Sequence, residues 1–186
     1  MAHLVKSQTE LSEKNRWGTT WECFQDAVDL FGASLEIDVC AEPQTAKCAR
    51  YLISPDWKLD KQALRESYSA CVGFDALQCW WGDRFWCNPP FDLKQAFIER
   101  AVLHANNGCS GMMLIPYEPC TQWFRKLVVP FASVIYVPDG RYNFLHTDGE
   151  TKKSGVNFPS CFVLFTPHHN GGEAKIVNFE RGLSND

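Results

Sequence analysis

Arg84-Phe85-Trp86-Cys87-Asn88-Pro89-Pro90-Phe91 is the stretch on which the fold of this chain turns. Its first half reads as a strand that runs straight into Asn-Pro-Pro-Phe. Two successive prolines remove two backbone donors and hold φ at about −65°, so a strand ladder stops there. Over 93–105, Phe97, Ile98, Ala101, Val102 and Ala105 fall on one side of an amphipathic helix. Gly111-Met112-Met113-Leu114-Ile115-Pro116 is an apolar run typical of a strand buried on both faces. Strand, turn, helix and buried strand in that order form a unit of a parallel α/β sheet.

The pattern extends in both directions. Thr20 is placed to cap a helix on which Trp21, Phe24, Val28 and Phe31 recur at helical spacing, and Gly32 ends it. Leu35-Glu36-Ile37-Asp38-Val39-Cys40 reads as a short strand. Residues 42–73 are mixed, with helical character near 60–67. A short helix is expected at 121–129, strands at 132–137 and 161–165, and an edge strand at 175–179. The last strands are close enough in sequence to include an antiparallel pair. Residues 146–157 read as a polar loop. The expectation is an α/β fold with a mostly parallel sheet and helices on both faces. Residues 1–16 are expected to form a flexible N-terminal arm, and 17–186 a single domain.

Composition narrows the possible functions. No window approaches the roughly 18 apolar residues that a membrane span needs. The first residues carry no signal-peptide apolar region, so a cytoplasmic protein is expected. The nine cysteines are odd in number, and several lie in apolar runs, so buried free thiols are expected rather than a disulfide scaffold. Cys71, Cys79 and Cys87 fit no common zinc spacing, and no metal site is expected. His168-His169 reads as a solvated loop. The formal net charge of −4 lacks the basic surplus of most nucleic-acid binders. Any DNA contact must therefore come from a local basic face.

The Asn-Pro-Pro-Phe turn suits an aromatic amine. The adenine N6 lone pair is delocalised into the ring, which makes the nitrogen a poor nucleophile. Two acceptors, the Asn88 side-chain oxygen and the Pro89 carbonyl, can take its two hydrogens and aim the lone pair. Pro90 stiffens the turn, and Phe91 can stack on an extruded base. A sulfonium methyl is already activated, so the protein mainly aligns donor and acceptor. Neither a metal nor a covalent intermediate is needed. A bland alternative makes Asn88 the cap of the following helix and Phe91 a core residue.

The chain also resembles a family, the small phage-encoded, Dam-type N6-adenine methyltransferases. The segments that carry the likeness run in order from about Thr20 to Phe165. They are Thr20-Trp21, Ile37-Asp38-Val39-Cys40-Ala41, Gln44 through Ala46-Lys47-Cys48 with Tyr51, Asp75-Ala76-Leu77, Trp81-Gly82 and Phe85-Trp86-Cys87-Asn88-Pro89-Pro90-Phe91. Leu114-Ile115-Pro116, Thr121-x-Trp123-Phe124, Gly140-Arg141-x-x-Phe144 and Phe158-Pro159-Ser160 follow. Trp21 and Val39 stand where the family has proline, Ala76 stands where it has glycine, and 55–73 looks like an insertion.

The resemblance implies a Rossmann-like methyltransferase fold, S-adenosylmethionine as donor and DNA as partner, with the adenine flipped into the site. Asn88, Pro89, Pro90 and Phe91 would be catalytic. Thr20, Asp38, Cys40, Ala41, Asp75 and Leu77 would line the cofactor site, and Arg141, Lys152 and Lys153 would face DNA. Two placements of Asp38 beside the cofactor fit: the end of the first strand, or a second-strand acidic segment that binds ribose; the bland alternative is a strand-end Asp that caps a turn. Thr20 can equally cap its helix, and Asp75 can be a solvated turn residue. Trp80-Trp81 and Trp86 offer either a stacking wall or core, and core is the commoner use of such a cluster. Rival readings are cytosine N4 methylation, methylation of a protein glutamine amide, and an inactive nucleotide- or DNA-binding scaffold.

Overall fold

The computed structural model describes residues 15–55, 66, 68–153, 157–167 and 172–182. Most of the expected arm, most of the helical stretch near 60–67, and His168-His169 lie outside the described residues.

Thr20 caps the first helix, α1 (Trp21–Phe31), with Cys23 N donating to Thr20 Oγ1 at 3.3 Å. Gly32 closes it at φ 76°, a left-handed conformation that suits glycine. The second helix, α2 (Lys94–Asn106), buries Phe97, Ile98, Ala101 and Ala105 as its sequence pattern requires, and His104 with them. The third expected helix differs. Phe124–Val128 is a π-helical turn in which Val129 N reaches back five residues to Phe124 O. Pro130 follows directly and cannot continue a helical ladder.

Among the described residues, eleven short strands make two sheets. The small sheet has the order β1 (Gly18–Thr19), β8 (Phe144–Leu145), β9 (Lys152–Lys153), all antiparallel. It is a correction to the polar loop expected at 146–157, because β9 pairs residue by residue with β8. The large sheet has eight strands in the order β11 (Lys175–Phe179), β7 (Val134–Pro138), β10 (Ser160–Phe165), β6 (Gly111–Pro116), β5 (Phe85–Cys87), β2 (Ile37–Asp38), β3 (Arg50–Ile53), β4 (Cys71–Phe74). Only β10 runs antiparallel to its neighbours, which supplies the expected antiparallel pairing. β11 is an edge strand, as expected. The strands at 50–53 and 71–74 were hidden in a stretch that reads as mixed.

Alternation along the strands divides the core. Phe85, Cys87, Met113, Ile115, Cys161 and Val163 pack with Phe97, Ile98, Ala101 and Ala105 of α2. Trp86, Met112, Leu114 and Phe162 pack with Cys23, Phe24 and Ala27 of α1. Trp81 and Trp86 are core, whereas Trp80 is 55% exposed and does not share that fate.

Candidate active site

After β2 the chain builds β3 and β4 outward on one side, then returns to place β5 on the other side of β2. Such a reversal opens a crevice at the carboxyl ends of the two central strands. Here those ends are Asp38 and Cys87. Asp38 therefore lies on the first strand of the large sheet. Val39 N donates to Trp86 O at 3.0 Å, and the Cys40 and Cys87 sulfurs are 3.6 Å apart.

Asp38 shapes the loop after β2. Its Oδ1 accepts from Cys40 N at 3.2 Å and its Oδ2 from Lys47 N at 3.1 Å. Burial raises its pKa to about 6, and the two backbone hydrogen bonds oppose that rise. Its side chain faces this loop, while Val39, Cys40, Ala41, Glu42 and Thr45 line a cavity of about 810 Å³. Asp75, Ala76, Leu77, Asn88, Pro90 and residues 15–17 line it too. Asp75 holds φ 57°, an αL conformation that Asp tolerates better than most residues, and its Oδ1 accepts from Leu77 N at 3.2 Å. Arg16 pairs with both carboxylate oxygens of Glu42, at 2.7 and 2.9 Å.

Asn88 stands between two cavities. It lines the large one and also a cavity of about 10 Å³ walled by Pro89, Phe91, Lys94, Phe144, Phe158 and Ser160 among others. Its Nδ2 donates to Trp17 O and Thr19 Oγ1, each at 3.2 Å. Among the described residues no hydrogen bond reaches Asn88 Oδ1 or Pro89 O. Pro90 O, by contrast, accepts from Leu93 N, and Phe91 O from Lys94 Nζ. Asn88 is not the cap of α2, whose cap position is Leu93. Phe91 is half-buried and meets Phe158 and Trp17 edge-to-face, with centroids 4.9 and 6.1 Å away.

The remaining expected site residues spread out. Thr20 is buried at the head of α1 and does not line either cavity. Lys152 is exposed and Lys153 half-buried on β9, with Lys153 Nζ 5.7 Å from the Trp17 ring centroid. Arg141 is exposed, and its carbonyl accepts from Arg181 Nη1. Residues 15–17, Thr19, Glu42, Thr45 and Lys94 escaped the sequence reading. Asn15, Arg16 and Trp17 sit next to polar, unpatterned chain, and partners distant in sequence bring them to the site: Asp92 for Asn15, Glu42 for Arg16, Asn88 for Trp17, and β8 for the strand that follows them.

A family profile described as "DNA N-6-adenine-methyltransferase (Dam)" matches residues 6–182. The chain belongs to the DNA N-6-adenine-methyltransferase (Dam) family. The match agrees with the resemblance carried by the ordered motifs and takes in every strand of both sheets. A DNA N-6-adenine-methyltransferase of Haemophilus phage HP1 (strain HP1c1) is 27% identical over 177 residues, covering 92% of this chain and 90% of the phage protein. A DNA N-6-adenine-methyltransferase of Escherichia phage T1 is 27% identical over 88 residues, covering 44% of this chain and 37% of that protein. In this Dam-family chain Asn88 and Pro90 line the large cavity together with Asp75-Ala76-Leu77, while Asn88, Pro89 and Phe91 line the small one. No group of three or more His, Cys, Asp or Glu able to hold a metal occurs among the described residues. No helix among them is long and apolar enough to cross a membrane.

Proposed function

We propose that the chain methylates the N6 amino group of adenine in DNA with S-adenosylmethionine as donor, using Asn88 as the central acceptor. One observation carries the reading of the site: Asn88 lines both cavities while no described residue donates to its Oδ1 or to the Pro89 carbonyl. A residue in that position can touch an amine on one side and stand beside a methyl donor on the other.

The large cavity fits the donor. Its volume lies within the usual range for small-molecule sites, roughly 300–1,000 Å³. Trp17 lines it, and among the described residues nothing accepts from its indole N–H, a buried donor that a carboxylate would satisfy. Asp75 and Glu42 offer acceptors for an amine, an ammonium or ribose hydroxyls, and Cys40, Ala41 and Leu77 supply apolar wall. The sulfonium group supplies an activated methyl when the cofactor is bound. Asp38 acts behind this wall by folding the loop that forms it, and Thr20 by anchoring α1 next to Thr19.

Asn88 Oδ1 and Pro89 O take the two hydrogens of the target amine, which aims its lone pair and stabilises the positive charge that grows on nitrogen. Phe91 stacks on the flipped base. The small cavity is far too small for a base, so entry requires Phe91, Phe144 and Phe158 to move apart. Lys152 and Lys153 on β9, with Arg141, form the local basic face against phosphate. The packing of α1 and α2 into separate halves of the core supports a Rossmann-like methyltransferase fold with helices on both faces. The span of the sheets from β1 to β11 supports a single domain over 17–186. A DNA substrate supports a location in the cytoplasm of a bacterial or phage-infected cell.

The test is incubation with labelled S-adenosylmethionine and unmethylated DNA, followed by nucleoside analysis. N6-methyladenine is the expected product. N4-methylcytosine would move the activity to cytosine, and cofactor binding without turnover would mark a binding scaffold. Asn88→Ala should slow single-turnover methylation on the order of a hundredfold, with cofactor affinity hardly changed. A folded Asn88→Ala protein with the normal rate would sink the mechanism.

A further inference from the structure

An asparagine serves as an acceptor only when its amide is held one way round. Turned over, the same side chain presents N–H groups to an amine that needs an oxygen. Two contacts hold the Asn88 Nδ2 group: Trp17 O and Thr19 Oγ1, both at 3.2 Å. Trp17 supplies main chain, which any residue there would supply. Thr19 supplies a side-chain oxygen that is specific to its identity.

We infer that Thr19 is a positioning residue for methyl transfer: its hydroxyl, with the Trp17 carbonyl, locks the Asn88 amide so that Oδ1 faces the reacting nitrogen. The inference rests on the role proposed above for Asn88.

The placement of Thr19 is itself rigid. The residue is 3% exposed, so water does not readily replace its oxygen. β1 is paired with β8, Thr19 opposite Phe144. Gly18 lies so close to Thr45 that a Cβ there would meet Thr45 Cγ2 at 2.8 Å, and this fixes how deeply β1 sits against the crevice. The neighbouring hydroxyl cannot substitute, because Thr20 Oγ1 is committed to Cys23 N at the head of α1. Without the Thr19 oxygen, one Nδ2 hydrogen loses its buried partner. The energy gap between the two amide orientations then narrows, and a larger share of the molecules presents the wrong atom.

The experiment compares the full-length protein with Thr19→Val, Thr19→Ser and Asn88→Ala. Single-turnover methylation of a DNA duplex is measured at saturating S-adenosylmethionine, beside thermal melts and calorimetry with the demethylated cofactor. Valine keeps the shape of threonine and removes the acceptor; serine keeps the acceptor. Thr19→Val should be slower on the order of tenfold, with cofactor affinity and folding retained. Thr19→Ser should return to within about threefold of the parent rate. A Thr19→Val protein at the parent rate, alongside a severely slowed Asn88→Ala protein, overturns the inference and leaves the role of Asn88 standing. Equal losses for valine and serine that track melting temperature also overturn it, since the hydroxyl is then not the cause. An Asn88→Ala protein at the parent rate removes the role of Asn88 and this inference together.

Discussion

The Asp38 carboxylate takes one hydrogen bond from Cys40 N and another from Lys47 N, with only 3% of the residue exposed to solvent. Its pKa rises from 3.8 to about 6 because burial penalises the charge more than the two bonds reward it. Between those values the folded chain keeps a proton that the unfolded chain has released. The native state then binds more protons, so this group lowers stability as pH rises through that window and adds no further slope above it. Asn cannot ionise and resembles the protonated acid. Asp38→Asn should therefore gain stability relative to the parent as pH rises from 4 to 6. Urea unfolding of both proteins at several pH values checks this; a difference that stays flat across the window would refute it. The sequence pointed to Asp38 as a site residue. That it acts on the loop rather than within the cavity follows from where the Cys40 and Lys47 amides lie.

At the scale of elements, the small sheet is the part that sequence patterning concealed. β1, β8 and β9 have two residues each, too short for alternation to show. Yet this sheet brings Trp17 and Thr19 to Asn88, and Lys152 and Lys153 to the same side of the molecule. A net charge of −4 makes DNA affinity depend on few cations, so each should be visible in the salt dependence. Replacing both lysines with alanine should weaken DNA binding and shallow the slope of log affinity against log salt by about one per lysine. Cofactor affinity, read by calorimetry, should hold. An unaltered salt slope would put the DNA face elsewhere. The helices fared differently: the cap at Thr20, the stop at Gly32 and the apolar stripe of α2 were legible because each is a local feature of consecutive residues. The π-helical turn was not, since Thr121, Trp123 and Phe124 read equally well as an ordinary helix.

Across the whole molecule, stability and chemistry are held in different places. Asp26, buried on α1, accepts from Tyr142 Oη at 2.5 Å and from Gly182 N at 2.9 Å, tying the helix to the segment after β7 and to the chain beyond β11. None of these residues lines either cavity. Tyr142→Phe leaves a buried carboxylate one donor short and should cost about 1–3 kcal/mol in denaturant unfolding. The single-turnover rate of the folded fraction should stay at the parent value; a lower rate would mean that this anchor reaches the site. By itself the sequence determined the strand–turn–helix unit around Asn88, the family, and the residue types an amine requires, because prolines, caps and apolar periods act over a few neighbouring positions. Tertiary structure alone decided which way the Asn88 amide faces, that Asp38 supports the wall and Trp17 forms it, and that Lys152 and Lys153 belong to a sheet. Those outcomes depend on partners distant in sequence, Trp17 and Thr19 with Asn88, β1 with β8. Contacts of that kind arise only when the strands have found their order, and no local pattern encodes them.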